Sequence, residues 1–192
     1  MRLRILEKGH GLKRSVMLRV APLVFGMRAP DILRVVWYRE AFLGEPLNAL
    51  TQTVLRGKSE WTVGERELFA AWVSKNNACN FCCGAHSVVA SKALGVAVEK
   101  GELVDDSTLS TKARAMLPFL AKLTKTPDDV TAGDLQPARD AGVTEAAIED
   151  AIYVCTVFCI FNRLADSFAC QLISAEDEPK VAKMLLEKGY ES

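Results

Sequence analysis

Apolar side chains recur three and four residues apart along almost the whole of this chain, and no stretch alternates strictly between apolar and polar positions. The first spacing stacks apolar groups on one face of a helix, whereas a half-buried strand needs the second. An all-α fold is therefore predicted. Asp31 can cap a helix ILRVVWYREAFLG that stops at Gly44, and Pro46 can open another, LNALTQTVLRG. Thr62 and Glu65 have the spacing of a capping box, starting a helix that runs to about Lys75 before the pair Asn76-Asn77 interrupts it. The next helix starts near Asn80 and ends at Gly95, a residue suited to the left-handed position after a helix. Further on, Ser110 caps TKARAMLPFLAKLTK, Thr131 caps AGDLQPARDA ahead of Gly142, and Thr144 caps a long apolar stretch to about Ile173. A last helix is expected over Pro179 to Lys188.

No linker divides this pattern into two cores, so one helical domain is expected over residues 31–192, preceded by an arm over residues 1–30. The arm carries Arg2, Arg4, Lys8, Lys13, Arg14, Arg19 and Arg28 against a single acid, Glu7, and is expected to be solvated or to contact another subunit. Its apolar stretch, Val16 to Met27, is broken by Arg19 and Pro22, which fits a secretory signal poorly. Over the whole chain 24 Lys and Arg balance 24 Asp and Glu, an unsuitable charge for binding nucleic acid. The longest uncharged apolar run, Ala151 to Phe161, is half of the roughly 20 residues a membrane-spanning helix needs. A cytoplasmic location is expected, and in that reducing compartment six cysteines point to thiols, metal ligands or redox catalysts rather than structural staples.

The informative segment is ELFAAWVSKNNACNFCCGAH, Glu67 to His86. Cys79 and Cys82 form a C-x-x-C at a helix start, where two sulfurs three apart can reach each other and where free N–H groups and the helix dipole favour a thiolate. His86 lies one turn beyond Cys82, a spacing that lets imidazole and thiol exchange a proton. Glu67 and His86 lie nine positions either side of Asn76-Asn77, so a helical hairpin folded there sets them level. Ala70, Ala71 and Ser74 share the face of Glu67 and are small enough to let the second helix close in. A carboxylate beside an imidazole fixes its orientation. Cys83, about 100° round the helix from Cys82, reads as packing. So do Cys155 and Cys159, four apart on the long helix; the alternative is a zinc site in which they join two ligands from Cys79, Cys82 and His86. Asn162, Arg163 and Asp166 interrupt that helix's apolar stripe and suit a buried polar network or a subunit contact.

The pattern Glu67-x11-Cys79-x2-Cys82-x3-His86 resembles the signature of the alkyl hydroperoxidase D-like (AhpD-like) proteins of the carboxymuconolactone decarboxylase superfamily. The segment ERELFAAWVSKNNACNFCCGAHS is similar to the core helix pair of its peroxidase-related branch, and STKARAMLPFLAKLTKTPDDVT with FNRLAD is similar to that branch's C-terminal half. The resemblance spans about Asp31 to Leu172. It implies an AhpD-like helical domain whose central hairpin carries the C-x-x-C at the start of its second helix. It also implies a homo-oligomer, a dimer, trimer or hexamer. The implied activity is that of a thiol peroxidase without metal, haem or other cofactor, taking a small-molecule hydroperoxide and an external dithiol or protein reductant. By match of motif Cys82 is the peroxidatic cysteine, Cys79 the resolving one, and Glu67 and His86 the proton relay. The best-characterised hydroperoxidases carry a second His where this chain has Phe81, which bears on efficiency and on the reductant. True decarboxylases generally lack the cysteine pair. Thioredoxin-like pairs use the first cysteine as nucleophile; proximity to His86 favours Cys82 instead, in line with the resemblance. A redox-responsive structural or regulatory oligomer with negligible turnover is the alternative function.

Overall fold

Thr62 opens the central helix, α5 (Val63–Asn76), through the expected capping box: its hydroxyl accepts from the Glu65 N–H while the Glu65 carboxylate accepts from the Thr62 N–H. The coordinates are a computed structural model that describes residues 1–105 and 108–190, so the last two positions of the expected domain lie outside the described residues. Helix α5 is surrounded on nearly every side, with Leu68, Phe69, Ala70, Ala71, Val73 and Ser74 all at 0% exposure. Its end is decided by Ala78, which takes a left-handed φ of 57°. The Ala78 N–H then donates to Lys75 O and the Cys79 N–H to Ser74 O, a Schellman closure. That closure delivers Cys79 directly to the N-cap of α6 (Asn80–Leu94), which lies back along α5 and ends at the left-handed Gly95 as expected.

Earlier in the chain come α1 (Ile5–Lys8), α2 (Leu12–Phe25), α3 (Asp31–Tyr38) and α4 (Glu45–Arg56). The helix expected to run unbroken from Asp31 to Gly44 yields at Arg39, and Glu40–Gly44 is a wider π-helical turn leading into α4. The arm of residues 1–30 is helical, and its charges divide. Six of the seven basic residues are exposed, but Arg14 is buried, paired with Glu40 and stacked 4.7 Å over the Trp37 ring. Leu18 and Ala21 pack beside it against Leu33 and Trp37 of α3.

After α6 the chain makes a two-rung antiparallel hairpin, β1 (Val98–Glu99) with β2 (Glu102–Leu103), too short to leave an alternating pattern in the sequence. Then follow α7 (Thr111–Lys125), α8 (Gln136–Asp140), α9 (Glu145–Phe168) and α10 (Glu178–Lys188). Helix α9 stops at Phe168 rather than near Ile173 because Ala169 turns left-handed, φ 52°, and the Cys170 N–H closes onto Ala165 O. By length and composition α9 could cross a bilayer, but here Ile148, Ala151, Val154, Val157 and Phe158 lie in the main core, where α9 packs against α5 and α7.

Candidate active site at the α5–α6 hairpin

The hairpin brings Glu67 and His86 together: Glu67 Oε2 lies 2.6 Å from His86 Nδ1. Glu67 is 0% exposed and His86 8%. Burial alone raises the Glu67 carboxyl, but the imidazole and the Arg56 guanidinium outweigh it and hold the group below its ordinary range. Glu67 is thus the carboxylate and accepts from Nδ1–H, which leaves Nε2 as the basic nitrogen of the ring. Phe158 meets the imidazole edge to face at 4.4 Å and limits its rotation.

The second carboxylate oxygen has partners that sequence spacing could not disclose. Arg56, at the end of α4, donates to Glu67 Oε1 at 2.6 Å and to Leu185 O at 3.1 Å. Tyr190, just beyond α10, donates its hydroxyl to the same Oε1 at 2.9 Å. Its ring stacks 6.3 Å from His86, with an interplanar angle of 17°, and under the Arg56 guanidinium at 4.9 Å. Burial, reinforced by the neighbouring carboxylate, pushes the Tyr190 hydroxyl far up, so it stays a proton donor throughout the physiological range. Arg56 stands 11 positions from Glu67 and Tyr190 stands 123, each on a different element, and neither belongs to a recognisable motif.

Both sulfurs of the C-x-x-C are free thiols, and both are buried with Phe81 and Ala165. They hydrogen-bond each other. The proton that Cys82 donates lowers Cys79, aided by the Cys82 backbone amide at the helix start. The same bond and burial hold Cys82 well up, with the Asn162 amide pulling the other way. Asn162 is 0% exposed and ties α9 to the last turn of α5, donating to Ser74 Oγ at 2.9 Å and accepting from Asn77 Nδ2 at 2.9 Å. The polar interruption of α9 is therefore a buried network at Asn162, while Arg163 and Asp166 are exposed.

Cys83 is packed at 7% exposure, and Cys155 at 3% belongs to the main core. Cys159 is half-buried; the proton Cys155 shares with it, together with the Asn77 amide, brings it down to about 6. Among the described residues no three His, Cys, Asp or Glu side chains converge as metal ligands, so the zinc alternative, which needs two of Cys79, Cys82 and His86 beside Cys155 and Cys159, finds no centre there. Cys170 was not singled out by spacing, yet it packs beside Cys79, Cys82 and Phe81, brought there by the turn at Ala169.

A cavity of about 540 Å³ adjoins the pair. Its wall includes Cys82 and His86 but not Cys79, and it is closed over by α2, α3 and α10. The size falls within the range of ordinary ligand sites, roughly 300–1,000 Å³.

No family model and no curated protein matches the sequence. Two solved structures are similar over nearly the full chain. An uncharacterized peroxidase-related protein from Silicibacter sp. TM1040 is 23% identical over 92% of this chain and 92% of its own, with a TM-score of 0.73. An uncharacterized peroxidase-related protein from Ralstonia eutropha JMP134, described as an alkylhydroperoxidase AhpD core, is 21% identical over 93% of each chain, with a TM-score of 0.69. Around a hairpin carrying Glu67, Cys79, Cys82 and His86, the chain thus has the AhpD-like fold of these peroxidase-related proteins.

Proposed function

We propose that the protein is a thiol peroxidase that reduces hydroperoxides through a Cys79–Cys82 dithiol–disulfide cycle, with Glu67 and His86 as its proton relay. The observation that carries this reading is the buried 2.6 Å Glu67–His86 pair, whose imidazole shares a cavity wall with Cys82. The peroxidase-related fold supports it.

Two properties divide the sulfurs: ionisation is easier at Cys79, and access from the cavity belongs to Cys82. We assign first attack to Cys82, because a thiolate that no peroxide can reach does not react. His86 Nε2 takes the Cys82 proton, and the Cys82 sulfur attacks the terminal oxygen of the hydroperoxide. The O–O bond breaks, Cys82 becomes a sulfenic acid, and the departing alkoxide takes the proton back from His86 to leave as alcohol. Cys79 then attacks the Cys82 sulfur and gives its thiol proton to the departing hydroxide, so that the disulfide forms and water leaves. An external dithiol returns two electrons and two protons. Glu67 keeps the imidazole in the tautomer that the first transfer needs.

Hydroperoxide consumption with dithiothreitol as donor tests the cycle. Continuous turnover by the wild type, lost in Cys82→Ser, is the expected result. A disulfide that forms once without turnover would replace this reading with the redox-responsive structural oligomer.

A further inference from the structure

The cavity beside Cys82 is lined almost wholly by hydrocarbon. Val20 and Val24 come from α2, Leu33 and Val36 from α3, and Val181 and Met184 from α10. Hydrogen peroxide or a short alkyl hydroperoxide needs no such space. Among the side chains lining it, Lys188 is the one ammonium; it is exposed, and it rests 5.1 Å over the Phe25 ring, where the ends of α2 and α10 meet. Cys82, by contrast, is 3% exposed in the cavity wall. A ligand that satisfies both residues has an anionic head, a hydrocarbon body and an oxidised carbon partway along it.

We propose that this cavity is an acyl-chain site and that Lys188 receives a carboxylate, so that the substrate is the hydroperoxide of a long-chain fatty acid. The identification rests on the peroxidase reading; the site itself does not. The carboxylate pairs with Lys188, the mid-chain hydroperoxide meets Cys82 and His86, and the remaining hydrocarbon lies along α2 and α3. Reaction converts the hydroperoxide to the matching hydroxy acid while Cys79 and Cys82 are oxidised to their disulfide. Burial of hydrocarbon supplies most of the affinity, and the exposed ion pair contributes less but orients the ligand.

The test is calorimetric titration of the full-length Cys82→Ser protein, which removes chemistry from the measurement. Saturated acids from hexanoate to hexadecanoate should bind progressively tighter, by about fourfold per methylene until the cavity is full. Lys188→Gln should weaken the acids by about fivefold and leave their methyl esters unchanged. Affinity independent of chain length, or equal effects of Lys188→Gln on acids and esters, overturns the proposal. Turnover of tert-butyl hydroperoxide by the wild type, measured alongside, tests the peroxidase reading alone. Turnover without fatty-acid binding rejects the acyl site, and binding without turnover rejects the peroxidase.

Discussion

Replacing Glu67 by Gln keeps the volume of the side chain and removes its charge, which makes it the sharpest probe of the relay. In the native site Oε1 accepts from Arg56 and Tyr190 while Oε2 accepts from His86. A Gln whose oxygen stays with Arg56 and Tyr190 turns its NH₂ toward Nδ1. The imidazole must then accept at Nδ1 and carry its proton on Nε2, the wrong nitrogen for drawing a proton from Cys82. General-base help of this kind is worth about 10²–10⁴-fold, and the lower end applies because His86 itself remains, so peroxide reduction should slow by about 10²-fold. Stability should also fall. Arg56, with a side chain only 12% exposed, loses its counter-charge, and removing one partner of a buried ion pair costs about 3–5 kcal/mol. Since the Gln oxygen still accepts a bond, about 3 kcal/mol is expected. At roughly 2–4 °C per kcal/mol for a chain of this size, the unfolding midpoint should drop by about 6–12 °C. Stopped-flow peroxide reduction and thermal unfolding measure these two effects, and iodoacetamide labelling of Cys82, which should become half-maximal at a higher pH than in the wild type, measures the lost support for the base. Wild-type rates with a wild-type midpoint would show that Glu67 is an ordinary buried helix residue and that the relay is wrong.

Tyr190→Phe keeps the ring stacked on His86 but removes one donor from Glu67 Oε1. It should cost about 1 kcal/mol and shift the pH dependence of Cys82 labelling in the same direction as Glu67→Gln, by a smaller amount; an unchanged labelling profile would make Tyr190 merely structural. Glu67 also governs acid stability. Its carboxyl is lowered in the folded protein from an ordinary value of 4.5, so its stabilisation is complete above that value and is lost as pH falls through the folded one. Thermal unfolding from pH 7 to pH 3 should show a declining acid limb that is flatter in Glu67→Gln; identical limbs contradict the assignment. Cys159, brought down to about 6, should be labelled by small alkylating reagents at lower pH than the packed Cys155, as peptide mapping will resolve.

The hairpin was legible in the sequence because every signal that forms it is local. Thr62 and Glu65 cap one helix, the polar pair Asn76-Asn77 marks its last turn although Ala78 makes the left-handed stop, Gly95 ends the other, and the equal distances of Glu67 and His86 from the turn predict a meeting that occurs at 2.6 Å. The surroundings were not legible, because they come from elsewhere in the chain. Arg56 and Tyr190 reach Glu67 only after α4 and α10 have packed against the hairpin. The apolar residues of α2 looked like part of a charged arm, since charge counted along a sequence does not reveal which side of a helix carries it. In the fold, Leu18 and Ala21 face α3 while Val20 and Val24 border the cavity. The end of α9 was missed because alanine, a strong helix former, is the residue that turns left-handed at position 169.

In the proposed cycle the cavity-facing sulfur attacks although its neighbour ionises more readily. One equivalent of hydroperoxide added to Cys79→Ser and, separately, to Cys82→Ser, followed by sulfenic-acid trapping and mass spectrometry, tests it directly. A trapped sulfenic acid is expected on Cys82 in the Cys79→Ser protein, over-oxidising under excess peroxide for want of a resolving thiol, with no reaction at Cys79 in the Cys82→Ser protein. Sulfenic acid on Cys79 in Cys82→Ser, with none on Cys82 in Cys79→Ser, would contradict it and make the low-pKa thiol at the helix start the nucleophile.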